Sequence, residues 1–349
     1  MTGVKCTDKN RRRRRLSKRE RRRRALIRLM RRTLLILCLI LTGLFIYNSN
    51  SKDKTYAADY EKEFYNTSYY KEELFAHSHC IVTSSDKKDM SDLSTLKAYG
   101  LFDLNNLDPK YAFQMHDKIY PASTTKILTA LVALENANLS DTVTVSKNAC
   151  STSFAWDEQT CGIIEGDTLT LEDLLYGLLL YSGNDTAVAI AEHVGGSIDS
   201  FAEMMNDKAR ELMATNSHFT NPSGLYDEDH YTTAYDLYLI FNECIKHEEF
   251  IEIISAKSYS AQINRSGSEK ITLKWEPTNY YALGTAECPE NVTIIGGKTG
   301  TLKAAGNCLI LLAKDKSDNP YISIVMGADS KDYLYQDMTS LLAEIPKNE

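Results

Sequence analysis

Internal repeats are absent from this sequence of 349 residues, which excludes the solenoid and propeller folds that repeats build. Long apolar runs are also absent, because the longest one, Thr33 to Tyr47, has 15 residues. As a helix this run spans about 22 Å, which is short for a hydrocarbon core of ~30 Å. A metal site is one interpretation of His77, His79 and Cys80, but no second cluster of such residues accompanies them. We therefore expect neither a metal nor a cofactor.

Basic residues are scarce in most of the chain. Residues 1–32 hold 16 Lys or Arg against two acidic residues, a net charge of +14, whereas the other residues hold 24 basic and 45 acidic groups, a net charge of −21. The arginine runs of the first 32 residues would suit nucleic acid, but they directly precede the apolar run. A basic flank before an uncharged stretch is typical of a segment inserted with its N-terminus in the cytoplasm. We therefore expect a membrane, and no nucleic acid, as the partner of this region.

These features predict three segments ahead of a folded domain. Residues 1–32 are predicted to be a basic cytoplasmic tail, residues 33–47 a transmembrane signal anchor, and residues 48–97, which are polar and rich in tyrosine, an extracellular stalk. Arg31 and Arg32 would extend toward the headgroups and so lengthen the short anchor. A cleaved signal peptide is the alternative, but no small-x-small cleavage site follows the apolar run closely.

Cysteine usage adds an expectation about disulfides. Of the eight cysteines, Cys6 precedes the apolar run and Cys38 lies within it. The other six would lie outside the cell, where disulfides persist. Cys150 and Cys161 bracket a short loop and are the pair that we expect, although the sequence leaves the connectivity open.

Residues 98–349 are predicted to form one α/β domain of the α+β type. Apolar runs rich in β-branched residues predict strands at Ala98–Asp103, Tyr111–Met115, Asp141–Val145, Asn291–Gly296, Asn307–Lys314 and Tyr321–Gly327. Helical spacing and capping boxes predict helices at Pro121–Leu134, Thr170 to Leu180, Asn184 to Gly195, Ser200 to Asn216, from Thr233 onward, and at Lys331 to Ile345. We expect one antiparallel sheet built from both chain ends, with a helical cluster packed on it.

The stretch from Pro121 to Leu134 carries the strongest chemical signal. Its apolar residues recur at helical spacing, and residues three apart share a helical face, so Ser123 and Lys126 are expected to touch. A hydroxyl becomes a nucleophile when a neighbouring base takes its proton, and burial can make a lysine that base by lowering its pKa from about 10.4 toward 7. Ser-x-x-Lys recurs elsewhere in the chain, but only this copy lies on an apolar helix. A plain helix cap is the alternative for Ser123.

Two further short motifs follow. Ser182-Gly-Asn184 lies between two predicted helices, where a turn can present a hydroxyl and an amide to a cleft, although a capping turn is the alternative. Lys298-Thr299-Gly300 follows a predicted strand and two glycines, where it offers a cation and a hydroxyl to an anion, with a plain turn as the alternative.

Taken in order, the three boxes resemble those recognised together in penicillin-binding proteins and serine β-lactamases. From about Ala98 to about Asp329 the chain resembles, more narrowly, the low-molecular-mass D-alanyl-D-alanine carboxypeptidases. The matching stretches are Tyr120–Lys126, Leu174–Ala187, Phe219–Leu225, His230–Ala234, Gly296–Gly300 and Ala305–Cys308. The resemblance implies a β-lactamase/transpeptidase-like fold and a serine carboxypeptidase.

The resemblance also implies a role for each member of the first two boxes. Ser123 would attack the carbonyl between the two terminal D-alanines of a peptidoglycan stem peptide, and Lys126 would take its proton. Ser182 would relay a proton to the leaving amine. Penicillins and other β-lactams would be covalent inhibitors that acylate the same serine.

Substrate binding is implied for the remaining members. Asn184 would hold the substrate amide, and Lys298, Thr299 and Gly300 would bind the terminal carboxylate. The backbone N–H groups of Thr301 and of the nucleophile would form the oxyanion hole. With the predicted topology, the resemblance implies a single-pass protein of a bacterial cell membrane whose catalytic domain is extracellular.

Two other functions share these motifs. A serine β-lactamase has the same boxes, but the Glu-x-x-Leu-Asn loop of the class A enzymes is absent between Asn184 and Lys298. A non-catalytic penicillin sensor or wall-binding protein is the second alternative, although the arginine-rich tail offers no folded effector. Many relatives carry a β-rich module and a C-terminal anchor after the catalytic domain, and we expect the N-terminal segment to replace that anchor.

Overall fold

The computed structural model describes residues 18–19, 22–23, 26–27, 29–35, 37–42, 75, 78–83, 90, 93, 96–265 and 270–346. The chain divides into two compact units, Met1–Glu73 and Leu74–Glu349. In the first unit the described residues, all between positions 18 and 42, are helical and have exposed side chains. No helix among the described residues combines the length and apolar character needed to cross a membrane.

Nine strands lie among the described residues of the second unit. In chain order they are β1 (Ala98–Asp103), β2 (Asp108–Phe113), β3 (Thr142–Thr144), β4 (Thr168–Thr170), β5 (Tyr259–Ile263), β6 (Ile271–Trp275), β7 (Val292–Leu302), β8 (Gly306–Asp315) and β9 (Pro320–Ala328). Five of them form an antiparallel sheet in the order β2-β1-β9-β8-β7, in which Leu101 of β1 faces Ser323 of β9. The prediction of one sheet from both chain ends is therefore confirmed.

In the described part of the same unit, eight α-helices accompany the strands. They are α1 (Lys126–Asn136), α2 (Leu171–Tyr176), α3 (Asn184–Gly195), α4 (Ile198–Glu211), α5 (Ala234–Cys244), α6 (Glu248–Ser255), α7 (Tyr280–Leu283) and α8 (Lys331–Ala343). One buried apolar cluster joins α1, α3 and α5 to the sheet through residues such as Phe102 and Ile310, and a second joins α8 to the opposite sheet face through residues such as Val325 and Met338. The sheet is thus covered on both faces, which buries most residues of the central strands β8 and β9.

Several predicted boundaries were wrong for local reasons. The helix expected to begin at Ser200 begins at Ile198, because the hydroxyl of Ser197 accepts the N–H of Ser200 at 3.1 Å and so caps α4 earlier. The second strand begins three residues before Tyr111, because the Asp103 carboxylate accepts backbone N–H groups of the two following asparagines and turns the chain sharply. It ends at Phe113, two residues before the predicted end. The capping box predicted at Thr170 is complete at the start of α2. At the start of α5 the side chain of Thr233 accepts the N–H of Asp236, which is one half of the predicted box.

The expected disulfide between Cys150 and Cys161 is not formed, since both are free thiols in the structure. Cys161 is buried and its Sγ contacts the carbonyl oxygen of Gly177 at 3.4 Å. The backbone N–H of Ser151 donates to the carbonyl oxygen of Ile163 at 2.8 Å, so a hydrogen bond closes the loop between the two cysteines.

The described residues that precede β1 within the second unit pack on its core. Cys80 is buried, and its N–H donates to Tyr238 Oη while its carbonyl oxygen accepts from Tyr235 Oη, each at 2.9 Å. His79 stacks on the ring of Phe75, and its Nδ1 lies 3.0 Å from that residue's carbonyl oxygen. These two members of the trio noted in the sequence therefore have protein partners, whereas His77 lies outside the described residues. The stalk expected for residues 48–97 remains a prediction.

We expect Tyr238→Phe to lower the free energy of unfolding by about 1–3 kcal/mol, because it leaves the buried N–H of Cys80 without its acceptor. Urea denaturation followed by tryptophan fluorescence measures the change. Tyr333→Phe is the matched control, since the Tyr333 side chain is half exposed. Equal stabilities for the two variants would show that this hydrogen bond does not hold the segment around Cys80 against the domain.

Candidate active site

The serine of the first box is presented by a short 3-10 turn, Ala122–Thr125, that leads directly into α1. Ala122 has a φ of +50°, a conformation that costs an L-residue energy. The surrounding chain enforces it: a Cβ on Gly224 would lie 1.8 Å from the Ala122 carbonyl oxygen, and one on Gly300 would lie 3.2 Å from the N–H nitrogen of Ser123. Two glycines therefore let the backbone close around the turn and hold Ser123 at a cavity wall.

Lys126, one turn further on, points its amine at this serine. Its Nζ lies 3.1 Å from Ser123 Oγ, 2.8 Å from Asn184 Oδ1 and 2.6 Å from the carbonyl oxygen of Ser223. The side chain is completely buried. Burial disfavours the ammonium and lowers the pKa of Lys126 to about 7, although the nearby Cys161 and Asp185 act in the opposite direction. A substantial fraction of Lys126 is therefore neutral near pH 7, as a base for Ser123 must be.

Ser182 of the second box has a left-handed backbone with φ +71° and follows a π-helical turn, Gly177–Tyr181. The π-helical turn follows α2 and the left-handed residue precedes α3, and Ser182 lies at the wall of the same cavity as Ser123. Such strain clusters at functional sites, where the fold over-determines it.

The third box lies inside β7 and not at the end of a strand, which corrects the prediction for its position. Lys298 is buried, and its Nζ donates to Ser182 Oγ and to the carbonyl oxygen of Thr299, each at 2.8 Å. Burial first, and the neighbouring Lys126 second, hold the pKa of Lys298 well below its usual range. Thr299 lies 2.6 Å from Thr278, oxygen to oxygen.

One cavity of about 610 Å³ joins all three boxes. It is lined by Ser123, Ser182, Asn184, Thr299, Gly300 and Thr301, and also by the segments Asp157–Gln159, Ser223–Leu225 and Leu302–Lys303 with Thr278, Lys331, Leu334 and Tyr335. Lys126 and Lys298 are buried directly behind this wall. Every site residue expected from the sequence is therefore in or behind one cavity, with Thr301 the furthest out, donating through Oγ1 to Asn307.

Several contributing residues were not assigned a role from the sequence. Ser223 supplies the carbonyl that holds Lys126, and it lies in the Phe219–Leu225 stretch, which was noted only as a match to relatives. His230 supports the turn from behind: its Nδ1 accepts the Thr220 N–H at 3.1 Å, so its Nε2 carries the proton and donates to Thr125 Oγ1 at 2.8 Å. Burial lowers the pKa of His230 to about 4, which keeps the ring neutral.

Comparison with known proteins identifies the class of this site. Residues 97–330 match the model of the D-alanyl-D-alanine carboxypeptidase family, and the chain belongs to that family. It is 30% identical over 238 residues to D-alanyl-D-alanine carboxypeptidase DacF of Bacillus subtilis, a match that covers 66% of this chain and 57% of the relative. It is 31% identical over 244 residues to DacA of Haemophilus influenzae, covering 67% and 57%. The chain thus spans little more than half the length of these curated relatives.

Solved structures agree with this assignment. The crystal structure of a Streptomyces DD-transpeptidase has a TM-score of 0.66 and 28% identity, and the match covers 72% of this chain and 97% of that one. Penicillin binding protein 5 of Haemophilus influenzae has a TM-score of 0.63 and 28% identity, covering 73% and 71%. The transpeptidase-like fold expected from the sequence is therefore confirmed.

We expect the ammonium of Lys126 to lose its proton near pH 7, so that the side chain is charged below this pH and neutral above it. NMR of the chain with ¹³C at lysine Cε follows the titration. Lys126→Met identifies the signal by its disappearance. A Lys126 signal that keeps its shift up to pH 9 would show that the amine stays charged and cannot serve as a base at neutral pH.

Proposed function

We propose that this chain is a serine D,D-carboxypeptidase that removes the terminal D-alanine from peptidoglycan stem peptides and is acylated by penicillins. The observation that carries the proposal is the 3.1 Å contact between the Lys126 amine and the hydroxyl of Ser123, at the wall of an open cavity. This fully buried lysine has no carboxylate among its hydrogen-bond partners. Two carbonyl oxygens, those of Asn184 and Ser223, can accept both N–H groups of the neutral amine, which leaves its lone pair for the hydroxyl of Ser123.

The contacts support an ordered sequence of steps. Neutral Lys126 takes the proton of Ser123 Oγ, the oxygen attacks the carbonyl between the two D-alanines, and the C–N bond breaks to leave an acyl-enzyme. The departing amine needs a proton, and Ser182, hydrogen-bonded to Lys298, lies where it can relay one. Attack by water on the ester then frees Ser123 and the shortened peptide.

Substrate binding follows from the same wall. Lys298, Thr299 and Gly300 lie on one strand at the cavity, where the amine and hydroxyl can receive the terminal carboxylate. Asn184 holds Lys126 through its Oδ1, which leaves its amide nitrogen for the substrate backbone. The oxyanion hole is assigned to the backbone N–H groups of Ser123 and Thr301.

We expect Ser123→Ala to abolish D-alanine release from a muropeptide ending in D-Ala-D-Ala, because no other cavity hydroxyl contacts Lys126 among the described residues. Mass spectrometry measures the release, and covalent labelling with a fluorescent penicillin is followed in parallel. Ser94→Ala, which alters a Ser-x-x-Lys copy in a polar stretch of the sequence, is the control and should keep both activities.

The two other functions give distinct outcomes in the same assay. Rapid turnover of penicillin with an intact D-Ala-D-Ala peptide would identify a β-lactamase, which shares all three boxes. Loss of labelling in Ser123→Ala without any D-alanine release by the wild type would identify a penicillin sensor.

We also propose that residues 33–47 anchor the chain in a bacterial cell membrane as a single-pass segment, with residues 1–32 in the cytoplasm and the catalytic domain outside. The charge step and the apolar run support this topology. Apolar side chains of the first unit, including Leu34, Leu35 and Leu39, are more than half exposed, and lipid would cover them.

Full-length protein expressed in bacteria should therefore sediment with membranes and resist extraction by carbonate, whereas a chain lacking residues 1–47 should be released into the soluble fraction. Protease added to intact spheroplasts should digest the catalytic domain, because the proposed topology places that domain outside the membrane. A protected domain in intact spheroplasts would reverse the proposed orientation, and release of the full-length chain by high salt would replace insertion with electrostatic binding.

A further inference from the structure

Asp185, which directly follows the second box, is completely buried on the first turn of α3. Its Oδ1 accepts the backbone N–H groups of Cys161 and Thr186 at 2.8 and 2.9 Å, and its Oδ2 accepts those of Gly162 and Ile163 at 3.0 and 3.3 Å. All four partners are donors, so the group that fits them is a carboxylate and not a protonated acid. Burial raises the pKa of Asp185, while the four hydrogen bonds oppose that rise.

This carboxylate joins the active-site helix to the loop that walls the cavity. The N–H of Asn184 donates to the carbonyl oxygen of Gln159 at 2.8 Å, and the side chain of Asp185 holds the next residues, Cys161 to Ile163. Gln159 lines the cavity together with Asp157 and Glu158. One buried group therefore fixes both the start of α3 and one side of the substrate cavity.

The clamped loop also sets the position of the second box. A Cβ on Gly183, between Ser182 and Asn184, would lie 2.5 Å from the Cys161 Sγ, so the box rests directly on the loop. Asn184 in turn accepts a hydrogen bond from Lys126 Nζ. A shift of the loop would therefore move the amine of Lys126 through two contacts, the one between Cys161 and Gly183 and the one between Asn184 and Lys126.

We propose that Asp185 is a positioning residue of the active site, which clamps the Cys161–Ile163 loop beneath the second box and supplies the buried negative charge that faces Lys126. This inference rests on the proposed function. No catalytic step passes through Asp185, because its two oxygens are fully used by backbone donors.

The charge and the clamp make separable contributions. The groups that face Lys126 are Ser123 on its own turn, Asn184 and Asp185 on α3, Cys161 on the loop, Lys298 on β7, the carbonyl oxygen of Ser223, and His230 behind it. Asp185 is the carboxylic acid in this set, and four backbone N–H groups stabilise its carboxylate. Loss of its charge should lower the pKa of Lys126, because the ammonium loses an opposite charge.

The test is the second-order rate of penicillin acylation of the full-length chain in detergent, measured against pH. For Asp185→Asn we expect the ascending limb to move to lower pH by about one unit, and the plateau to fall at least about tenfold because the amide places a donor against donors. Asp236→Asn is the matched control: Asp236 is equally buried at the first turn of α5, accepts the Asn216 N–H at 2.8 Å, and does not line the cavity.

Gly162→Ala separates the clamp from the charge. Gly162 has a φ of +82°, so an added Cβ strains the clamped loop while the nearest atom remains 4.0 Å away and the charge of Asp185 is kept. For this variant we expect a lower plateau of the acylation rate and no change in the pH at which the rate rises. If Asp185→Asn does not fold, the plateau of Gly162→Ala still tests whether the loop positions the active site.

The outcomes separate the inference from the proposed function. A limb that stays in place in folded Asp185→Asn, or a Gly162→Ala plateau equal to wild type, would overturn the positioning role. The same shift in Asp236→Asn would also overturn it, because the effect would then be general. Failure of wild type to be acylated at any pH would instead refute the proposed function.

Discussion

The burial of one amine is the constraint on which the rest of this structure depends. Lys126 lies at the start of α1, and it can serve as a base only if water is kept away from its ammonium form. Three parts of the fold surround the amine of Lys126, and each contributes one contact: Ser123 in the preceding turn, Asn184 on α3, and the carbonyl oxygen of Ser223. Elements from distant parts of the sequence are thereby brought to a single nitrogen atom.

Such burial has an energetic cost that the core must offset. The pKa of Lys126 lies about 3.5 units below its ordinary value, so charging the amine in the folded state is disfavoured by roughly 5 kcal/mol relative to water. The buried helices α1 and α5 and the central strands β8 and β9 supply the apolar area that makes this affordable. The strained backbone at Ala122 and at Ser182 belongs to the same arrangement, because both residues are held by close packing and not by their own preference.

Much of this could be predicted from the sequence because local signals and chemistry agree. The periodicity of α1, the capping residues at Thr170 and Thr233 and the apolar C-terminal strands each depend on neighbours along the chain. The three boxes could be placed in one cavity because their order is that of a known family. Strands β5 and β6 and helix α6 were not predicted, since their short amphipathic patterns become informative only when the surface they cover is known.

What escaped prediction depends on contacts that sequence spacing does not encode. The carbonyl of Ser223 reaches Lys126 across 97 residues of chain, and a backbone oxygen leaves no side-chain signature. The disulfide expected between Cys150 and Cys161 was also wrong, because a backbone hydrogen bond can close a loop as well as a disulfide can. Loop length alone cannot distinguish the two.

The two buried lysines also determine how the cavity responds to an anion. Burial first, and the neighbouring Lys126 second, lower the pKa of Lys298, so its ammonium has little stabilisation from the protein itself. A carboxylate that enters beside Thr299 replaces lost hydration and favours the ammonium of Lys298. In the proposed function the terminal carboxylate of the peptide would therefore favour the charged form of Lys298, while the amine of Lys126 keeps its contacts with Asn184 and Ser223.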